Sequence, residues 1–206
     1  MKVKKYLLVL LALIFCGLSC GTMAEAKGVF GATDLISVPT NRTLSPGKYS
    51  LGVHVNEHSR AKVQIDLGLV DDFELGAAVD LYRHTNDLSV RFKYRLIPET
   101  KDSFGLALGI QDIGKDEFSP YVVLGHQLAP YDLRWNVGIG GGRLGGLFFG
   151  LSKVFRSAQF PSVTLSGEYD AYGLNLGAKI LLNKGLQLNV GVIDLEEFMF
   201  GLTITN

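Results

Sequence analysis

The residues best suited to catalysis are His126 and Ser152, a base and a hydroxyl of the kind used in nucleophilic hydrolysis. A catalytic site needs such groups within hydrogen-bond reach of each other and beside a pocket. These two residues are distant in sequence, and they lie in the two segments whose hydrophobic alternation is least regular. We therefore predict that the chain is not an enzyme and that it has no catalytic residues.

Metal binding is the second chemistry that the sequence could support. His54, His58 and His84 show no ligand spacing with cysteines or acidic residues. We therefore expect these histidines to lie in hydrated loops or in a lumen, and we expect no metal and no cofactor. Asn41-Arg42-Thr43 matches a glycosylation sequon, which we interpret as a coincidence.

Residues 1–26 have the parts of a secretory signal peptide. Lys2, Lys4 and Lys5 precede an apolar run over 6–15, and Ala24-Glu25-Ala26 forms a small-x-small cleavage site. We expect cleavage after Ala26, with Ala24 and Ala26 as the recognition residues, and export from the cytoplasm. The apolar run is shorter than the about 20 residues that a membrane-spanning helix needs.

Both cysteines, Cys16 and Cys20, lie in this leader. Cleavage after Ala26 would leave a mature chain without a thiol, a disulfide or a cysteine metal ligand. The alternative is lipidation of Cys20 as the mature N-terminus. Gly17-Leu18-Ser19 before it lacks the large aliphatic residue that a lipobox has three positions upstream.

The composition excludes several classes of protein. Removal of 26 of the 206 residues leaves 180, enough for one domain or a single barrel. This part has 17 Lys+Arg and 19 Asp+Glu, a net charge of −2, so nucleic acid is not an expected partner. Hydrophobic residues make up 47% of the chain, which argues against disorder.

Strict alternation of apolar and polar residues follows the leader. Leu88, Val90, Phe92, Tyr94 and Leu96 alternate with Asp87, Ser89, Arg91, Lys93 and Arg95. Comparable alternation predicts strands within 49–55, 62–67, 73–81, 87–96, 104–111, 121–128, 133–140, 147–155, 163–170, 174–182, 186–192 and 198–205. About twelve strands with short turns predict an all-β fold: a closed antiparallel up-and-down transmembrane β-barrel.

The non-apolar face of these strands is rich in small residues. Eleven of them are Gly52, Gly76, Ala78, Gly105, Ala107, Gly109, Gly138, Gly140, Gly150, Gly177 and Gly191. Glycine weakens a solvent-exposed strand, so this face predicts a crowded, curved interior, with the apolar face toward lipid. Aromatic residues near predicted strand ends fit an interfacial girdle: Tyr49, Tyr94, Trp135, Tyr169 and Phe198. The alternative is a soluble or lipid-tethered periplasmic β-protein that buries the apolar faces.

Charged residues share the predicted inner face. Arg91, Lys93 and Arg95 would face the lumen beside Glu74 and Asp80 on the preceding strand. Glu168, Asp170 and Lys179 are the further candidates. Two interpretations stay open: a structural charge ladder, or a pore lining that selects acidic solutes or polysaccharide.

Three segments of the chain resemble a known family. Residues 31–40, Gly-Ala-Thr-Asp-Leu-Ile-Ser-Val-Pro-Thr, followed by Leu44-Ser45-Pro46-Gly47, are similar to the N-terminal signature of YjbH-like outer-membrane proteins, which are associated with exopolysaccharide production. Residues 92–96 with 107–112, and 168–170 with 175–179, are also similar. Asp34 stands where the signature has Gly, and the chain shown ends in Asn206 instead of an aromatic residue.

The resemblance implies a short family member in the outer membrane of a diderm bacterium. Its domains would be the signal peptide over 1–26, the signature segment over 27–46 and the barrel over 47–206. Its expected partners are outer-membrane lipid, the outer-membrane assembly machinery, and polysaccharide or envelope export proteins. We expect a narrow channel or an accessory in envelope or exopolysaccharide transport; the alternatives are the periplasmic binding protein and a closed structural barrel.

Overall fold

The computed structural model of the protein describes residues 31–58, 60–81 and 86–206. In these ranges it has twelve strands: β1 (Tyr49–Asn56), β2 (Ala61–Val70), β3 (Phe73–Leu81), β4 (Asn86–Ile97), β5 (Gly105–Ile113), β6 (Ser119–Leu128), β7 (Leu133–Gly140), β8 (Leu147–Phe155), β9 (Val163–Tyr169), β10 (Leu174–Leu181), β11 (Leu186–Ile193) and β12 (Glu197–Thr205). The predicted signal peptide, with Cys20, Ala24 and Ala26, and also His84, lie outside the described residues.

The strands form one closed antiparallel barrel. Each strand pairs with its neighbours in sequence, and β1 closes the cylinder against β12, with Val53 opposite Leu202. The predicted fold class and the number of strands are therefore confirmed. We call the end where the chain enters β1 and leaves β12 the terminal end, and the opposite end the far end. No helix in the described ranges is long and apolar enough to span a membrane.

The apolar faces of the strands point outward, as predicted. Leu88, Leu108, Leu151 and Leu176 are each between 42% and 58% exposed on the outer surface. Alternate residues point inward and are buried, which excludes the alternative of a soluble protein with an apolar core. A closed barrel leaves no unpaired strand edge, and its apolar exterior suits the hydrocarbon of a bilayer.

Aromatic residues lie close to the strand ends. Tyr49 opens β1, Tyr169 closes β9 and Phe198 is the second residue of β12. The rings of Phe149 and Tyr169 stack with their centroids 5.5 Å apart. Such aromatic rows fit the two interfaces of a bilayer.

Residues 31–44 lie inside the barrel, and we call them the inner segment. It has no helix or strand, and all of its residues except Arg42 are buried. It folds back on itself: the Leu35 N–H donates to the Val38 carbonyl at 3.0 Å, and the Thr40 hydroxyl donates to the Thr33 carbonyl at 2.5 Å. The predicted crowded interior is thus filled by the chain's own signature segment.

A tight turn connects the inner segment to β1. Gly47 has a φ of +74°, and its N–H donates to the Gly68 carbonyl at 2.8 Å. A Cβ on Gly68 would lie 2.1 Å from the Ser45 carbonyl oxygen. Only glycine at position 68 therefore lets the chain leave the lumen past β2.

Candidate functional site

The filled lumen is the candidate site, and it brings together most of the charged residues that the alternation marked as inward. Glu74, Asp80, Arg91, Lys93, Glu168, Asp170 and Lys179 are all buried. Arg95 differs, since about a third of its side chain is exposed and it pairs at the terminal end with Asp72 in the β2–β3 turn. The inward charges hold the inner segment or one another.

Glu168 on β9 holds the tip of the inner segment. Its two carboxylate oxygens accept the backbone N–H groups of Ile36 at 2.9 Å, Ser37 at 2.6 Å and Val38 at 3.2 Å. The Asn175 amide also donates to it, at 3.0 Å. Successive backbone N–H groups that converge on one anion form a nest, and here the anion belongs to the barrel wall.

Glu74 on β3 holds the two arms of the segment. Its carboxylate accepts the Leu44 N–H at 2.9 Å and the Thr33 hydroxyl at 3.0 Å. Lys93, directly opposite Glu74 on β4, has its Nζ 2.9 Å from a carboxylate oxygen of Asp34 and 4.0 Å from Glu74. Lys93 therefore binds the segment more closely than it binds its cross-strand neighbour.

Asp34, the residue that departs from the family signature, is the charge that the inner segment brings into this network. Its carboxylate accepts from Lys93 and from the Gln111 amide at 3.1 Å. Its backbone carbonyl accepts from the Lys179 ammonium at 3.0 Å. Burying a charge is unfavourable unless it is paired and hydrogen-bonded, and Asp34 meets both conditions.

Arg91 pairs with Asp66, which is not among the predicted lumen charges. Its guanidinium reaches across β3 to Asp66 on β2, with Nε 2.7 Å from the carboxylate. Gly76 lies between them, and a Cβ there would stand 2.2 Å from Asp66 and 2.5 Å from Arg91. The expected neighbours of Arg91 bind elsewhere: Glu74 holds the segment, and Asp80 pairs with Lys62 and Lys115.

A charged group closes the terminal end beside the segment. Glu99, in the β4–β5 turn, lies 2.9 Å from Arg134, and the Asn41 amide donates to Glu99 at 3.2 Å. Burial by itself raises the pKa of Glu99, but the hydrogen bonds and charge of Arg134 outweigh it and hold that pKa below its ordinary value. Asn41 is fully buried in this contact.

At the far end the β7–β8 turn folds over the tip. The Arg143 guanidinium donates to the Ser37 carbonyl at 3.2 Å and lies 3.1 Å from Asp112. An apolar cluster also joins the inner segment to the β7–β8 turn and to the strands of the barrel. Its members are Leu35, Val38, Ala107, Tyr121, Val123, Leu144 and Phe148. Polar contacts and apolar packing therefore both hold the inner segment.

Asp170, in the β9–β10 turn, extends the Glu168 site to the rim. The Asn175 amide donates to it at 3.0 Å, and the Ser37 hydroxyl donates at 2.9 Å. Burial raises the pKa of Asp170, but these hydrogen bonds outweigh it and hold that pKa below its ordinary value.

The residues considered for catalysis are not brought together. His126 lies on the outward face of β6, and Ser152 is buried on the inward face of β8, with β7 between them. Within the described residues, no group of three or more His, Cys, Asp or Glu side chains is arranged to hold a metal ion.

The position of the inner segment was not predicted from the sequence. One signal that could have suggested it is the apolar composition of Leu35, Ile36, Val38 and Leu44 in a stretch without strand alternation. Such residues need a buried environment, and a barrel with a lipid-facing exterior offers one only in its lumen.

Comparisons with known proteins agree with this architecture. The model of the family YjbH, described as "Exopolysaccharide biosynthesis protein YbjH", matches residues 26–171. Among curated proteins, no sequence matches the chain.

Among solved structures, a structure titled "KdgM porin" is similar with a TM-score of 0.56 at 12% identity, covering 77% of this chain and 97% of the porin. A second, "KdgM porin in complex with disordered oligogalacturonate", gives a TM-score of 0.54 at 12% identity with the same coverage. The shared barrel fold and the apolar exterior place the chain in an outer membrane.

Proposed function

The chain belongs to the YjbH family of exopolysaccharide biosynthesis proteins, and from this premise we propose that it is a non-enzymatic, gated channel or channel accessory in exopolysaccharide transport. The inner segment is the gate: it closes the lumen at rest, and solute passes when it leaves. The observation that supports the proposal is the binding of residues 36–38 by Glu168 and of Leu44 and Thr33 by Glu74.

The way the inner segment is held favours a gate that can open. The contacts of Glu74 and Glu168 with the segment are hydrogen bonds to backbone N–H groups and hydroxyls, which water can replace when the segment leaves. Small wall residues also line its path: a Cβ on Gly150 would lie 2.3 Å from Leu35, and one on Gly177 would lie 2.9 Å from Ile36. The wall has a shape complementary to the segment without a covalent link.

A closed structural barrel is the second candidate function. The burial of nearly the whole inner segment, with its apolar cluster around Leu35 and Val38, favours it. In that case the segment would serve as the core of the barrel and would never leave under native conditions.

Recordings in planar bilayers distinguish these functions. We expect the wild-type protein to be closed for most of the time, with brief openings, and Glu74→Gln/Glu168→Gln to be open much more often. Glu117→Gln, in the exposed β5–β6 turn, is the matched control and should behave as the wild type. If the double variant frees the inner segment, as measured by amide exchange, and still does not conduct, the channel is refuted and the structural barrel stands.

The role in exopolysaccharide transport is tested in cells. A strain without the protein should release less exopolysaccharide, and the wild-type chain should restore release. The double variant should release at least as much as the wild type, because its gate is weakened. Equal release with and without the protein would contradict the transport role.

A further inference from the structure

A cavity of about 210 Å³ lies at the far end of the barrel, outside the network that holds the inner segment. It is lined by residues of β1, β2, β3, β11 and β12 and of the β1–β2 and β5–β6 turns. Its floor touches the gate, since Met199 and Ile193 pack against Ile36 of the inner segment.

The charges around this cavity favour an anion. Lys62 and Lys115 both approach the carboxylate of Asp80, at 3.4 Å and 2.7 Å. Lys115 also lies 3.7 Å from Asp112, a carboxylate outside the lining that pairs more closely with Arg143. Arg60 adds a third cation, and the remaining acid of the lining, Glu197, lies 2.9 Å from His58. Positive charge in excess within a concave, partly buried site concentrates anions.

A buried hydrogen-bond donor also borders the cavity. The Nε2 of His54 lies 3.3 Å from the amide nitrogen of Asn189, whose oxygen accepts from Gln187. The amide therefore donates to Nε2, and the proton of the neutral ring lies on Nδ1. Nδ1 is buried and has no hydrogen-bond partner within the described part of the chain. A buried unsatisfied donor of this kind calls for a ligand or a water.

The remaining lining suits the hydroxyl groups and the C–H face of a sugar. The Asn56 amide donates a hydrogen bond to the Glu197 carboxylate at 2.5 Å, and the second N–H of the amide and the second oxygen of the carboxylate can bind hydroxyl groups. Met199 and Ile193 offer an apolar surface beside them. A simple inorganic anion would use the cations and leave this half of the cavity without a function.

We propose that this cavity binds one carboxylate-bearing sugar residue, such as a uronic acid of an acidic polysaccharide, with Lys62, Lys115 and Arg60 at the carboxylate. The proposal deepens the transport function above by naming its substrate class, and it rests on that function. The volume is below the about 300–1,000 Å³ of sites for drug-sized ligands, so the site takes a single sugar residue. The His54 Nδ1–H then donates to a sugar oxygen.

Calorimetric titration of the full chain in detergent tests the site. We expect glucuronate to bind at least tenfold more tightly than glucose, because glucose lacks the carboxylate. Lys115→Gln should weaken glucuronate binding at least tenfold. Lys184→Gln, an exposed lysine in the β10–β11 turn at the other end, should leave it unchanged. Heat modifiability on a detergent gel verifies that each variant is folded.

Three results would overturn the proposal. Phosphate binding as tightly as glucuronate would show a general anion site, and equal binding of glucose would remove the role of the cations. Absence of glucuronate binding to the folded wild type would eliminate the site. None of these results affects bilayer conductance, so failure of the sugar site and failure of the gated channel are distinguishable.

Discussion

Glu168→Gln should loosen the inner segment without unfolding the barrel. The carboxylate accepts backbone N–H groups from three consecutive residues, Ile36, Ser37 and Val38. The carboxamide has nearly the same shape, but it has one acceptor oxygen, and its NH₂ group faces these donors. Ile36 and Val38 donate to one carboxylate oxygen and Ser37 to the other. In either orientation of the carboxamide, the variant therefore removes at least one backbone contact, and the contacts that remain lose the charge of their acceptor.

The magnitude follows from the strength of such bonds. A hydrogen bond to a charged group contributes about 1.5–3 kcal/mol, and one to a neutral group about half as much. Losing one contact and halving two others, at the lower value, removes about 3 kcal/mol. Each 1.36 kcal/mol is a factor of ten, so the ratio of seated to released segment should fall roughly 150-fold. These backbone groups take no part in the pairing of the strands. The barrel should therefore stay folded, and its band on a detergent gel should still shift on boiling.

Amide hydrogen exchange measured by mass spectrometry reports this ratio directly. Peptides that contain residues 36–38 should exchange roughly 150-fold faster in Glu168→Gln, while strand peptides should be unchanged. Glu117→Gln, on the exposed surface of a turn, is the control. An increase of less than about threefold in a correctly folded variant would refute the idea that Glu168 holds the segment.

Three further predictions concern the charged interior. Gly76→Ala should lower the free energy of unfolding by about 3 kcal/mol in urea titrations, because the new methyl group separates the buried ion pair of Asp66 and Arg91. The control Gly167→Ala, where a Cβ meets only ordinary contacts, should change this free energy by less than about 1 kcal/mol. Arg91→Gln should destabilise by about 3–5 kcal/mol, since it leaves a buried carboxylate unpaired, whereas Arg95→Gln at the rim should stay within about 1 kcal/mol; equal effects would contradict the difference in burial. The pKa of Glu99 is held below its ordinary value of 4.5, so its contribution to stability is present above pH 4.5 and is lost as the pH falls through the lowered value. Glu99→Gln should remove this part of the acid sensitivity in thermal melts. An unchanged acid profile would count against the ion pair.

The barrel could be predicted from the sequence because the pattern that determines each strand lies within that strand. A strand that faces lipid on one side and a narrow lumen on the other alternates with a period of two, as Leu88 to Leu96 do. The family resemblance, which the match over residues 26–171 confirms, rests on the segment around Asp34 and on short motifs along the strands. Neither pattern indicates where the segment lies.

The partners inside the lumen could not be predicted because they depend on geometry across strands. Arg91 reaches Asp66 two strands away, and the contact exists only because Gly76 is small. Glu168 binds Ile36, which is 132 positions away in sequence. Periodicity states which face a residue occupies, but the height along the barrel and the shear of the sheet decide which side chains meet.

The position of the inner segment imposes an order on folding. The segment precedes β1 in the chain, but the groups that hold it belong to β3, β4, β9 and β10. Contacts of such long sequence separation form slowly, because a large loop must first be closed. The inner segment is synthesised before any of the strands, but it can form its native contacts only after nearly the whole barrel has assembled. When β1 and β12 pair, the inner segment must either lie inside the barrel already or enter the lumen afterwards through one end. The earliest described part of the chain is therefore the last to reach its native contacts.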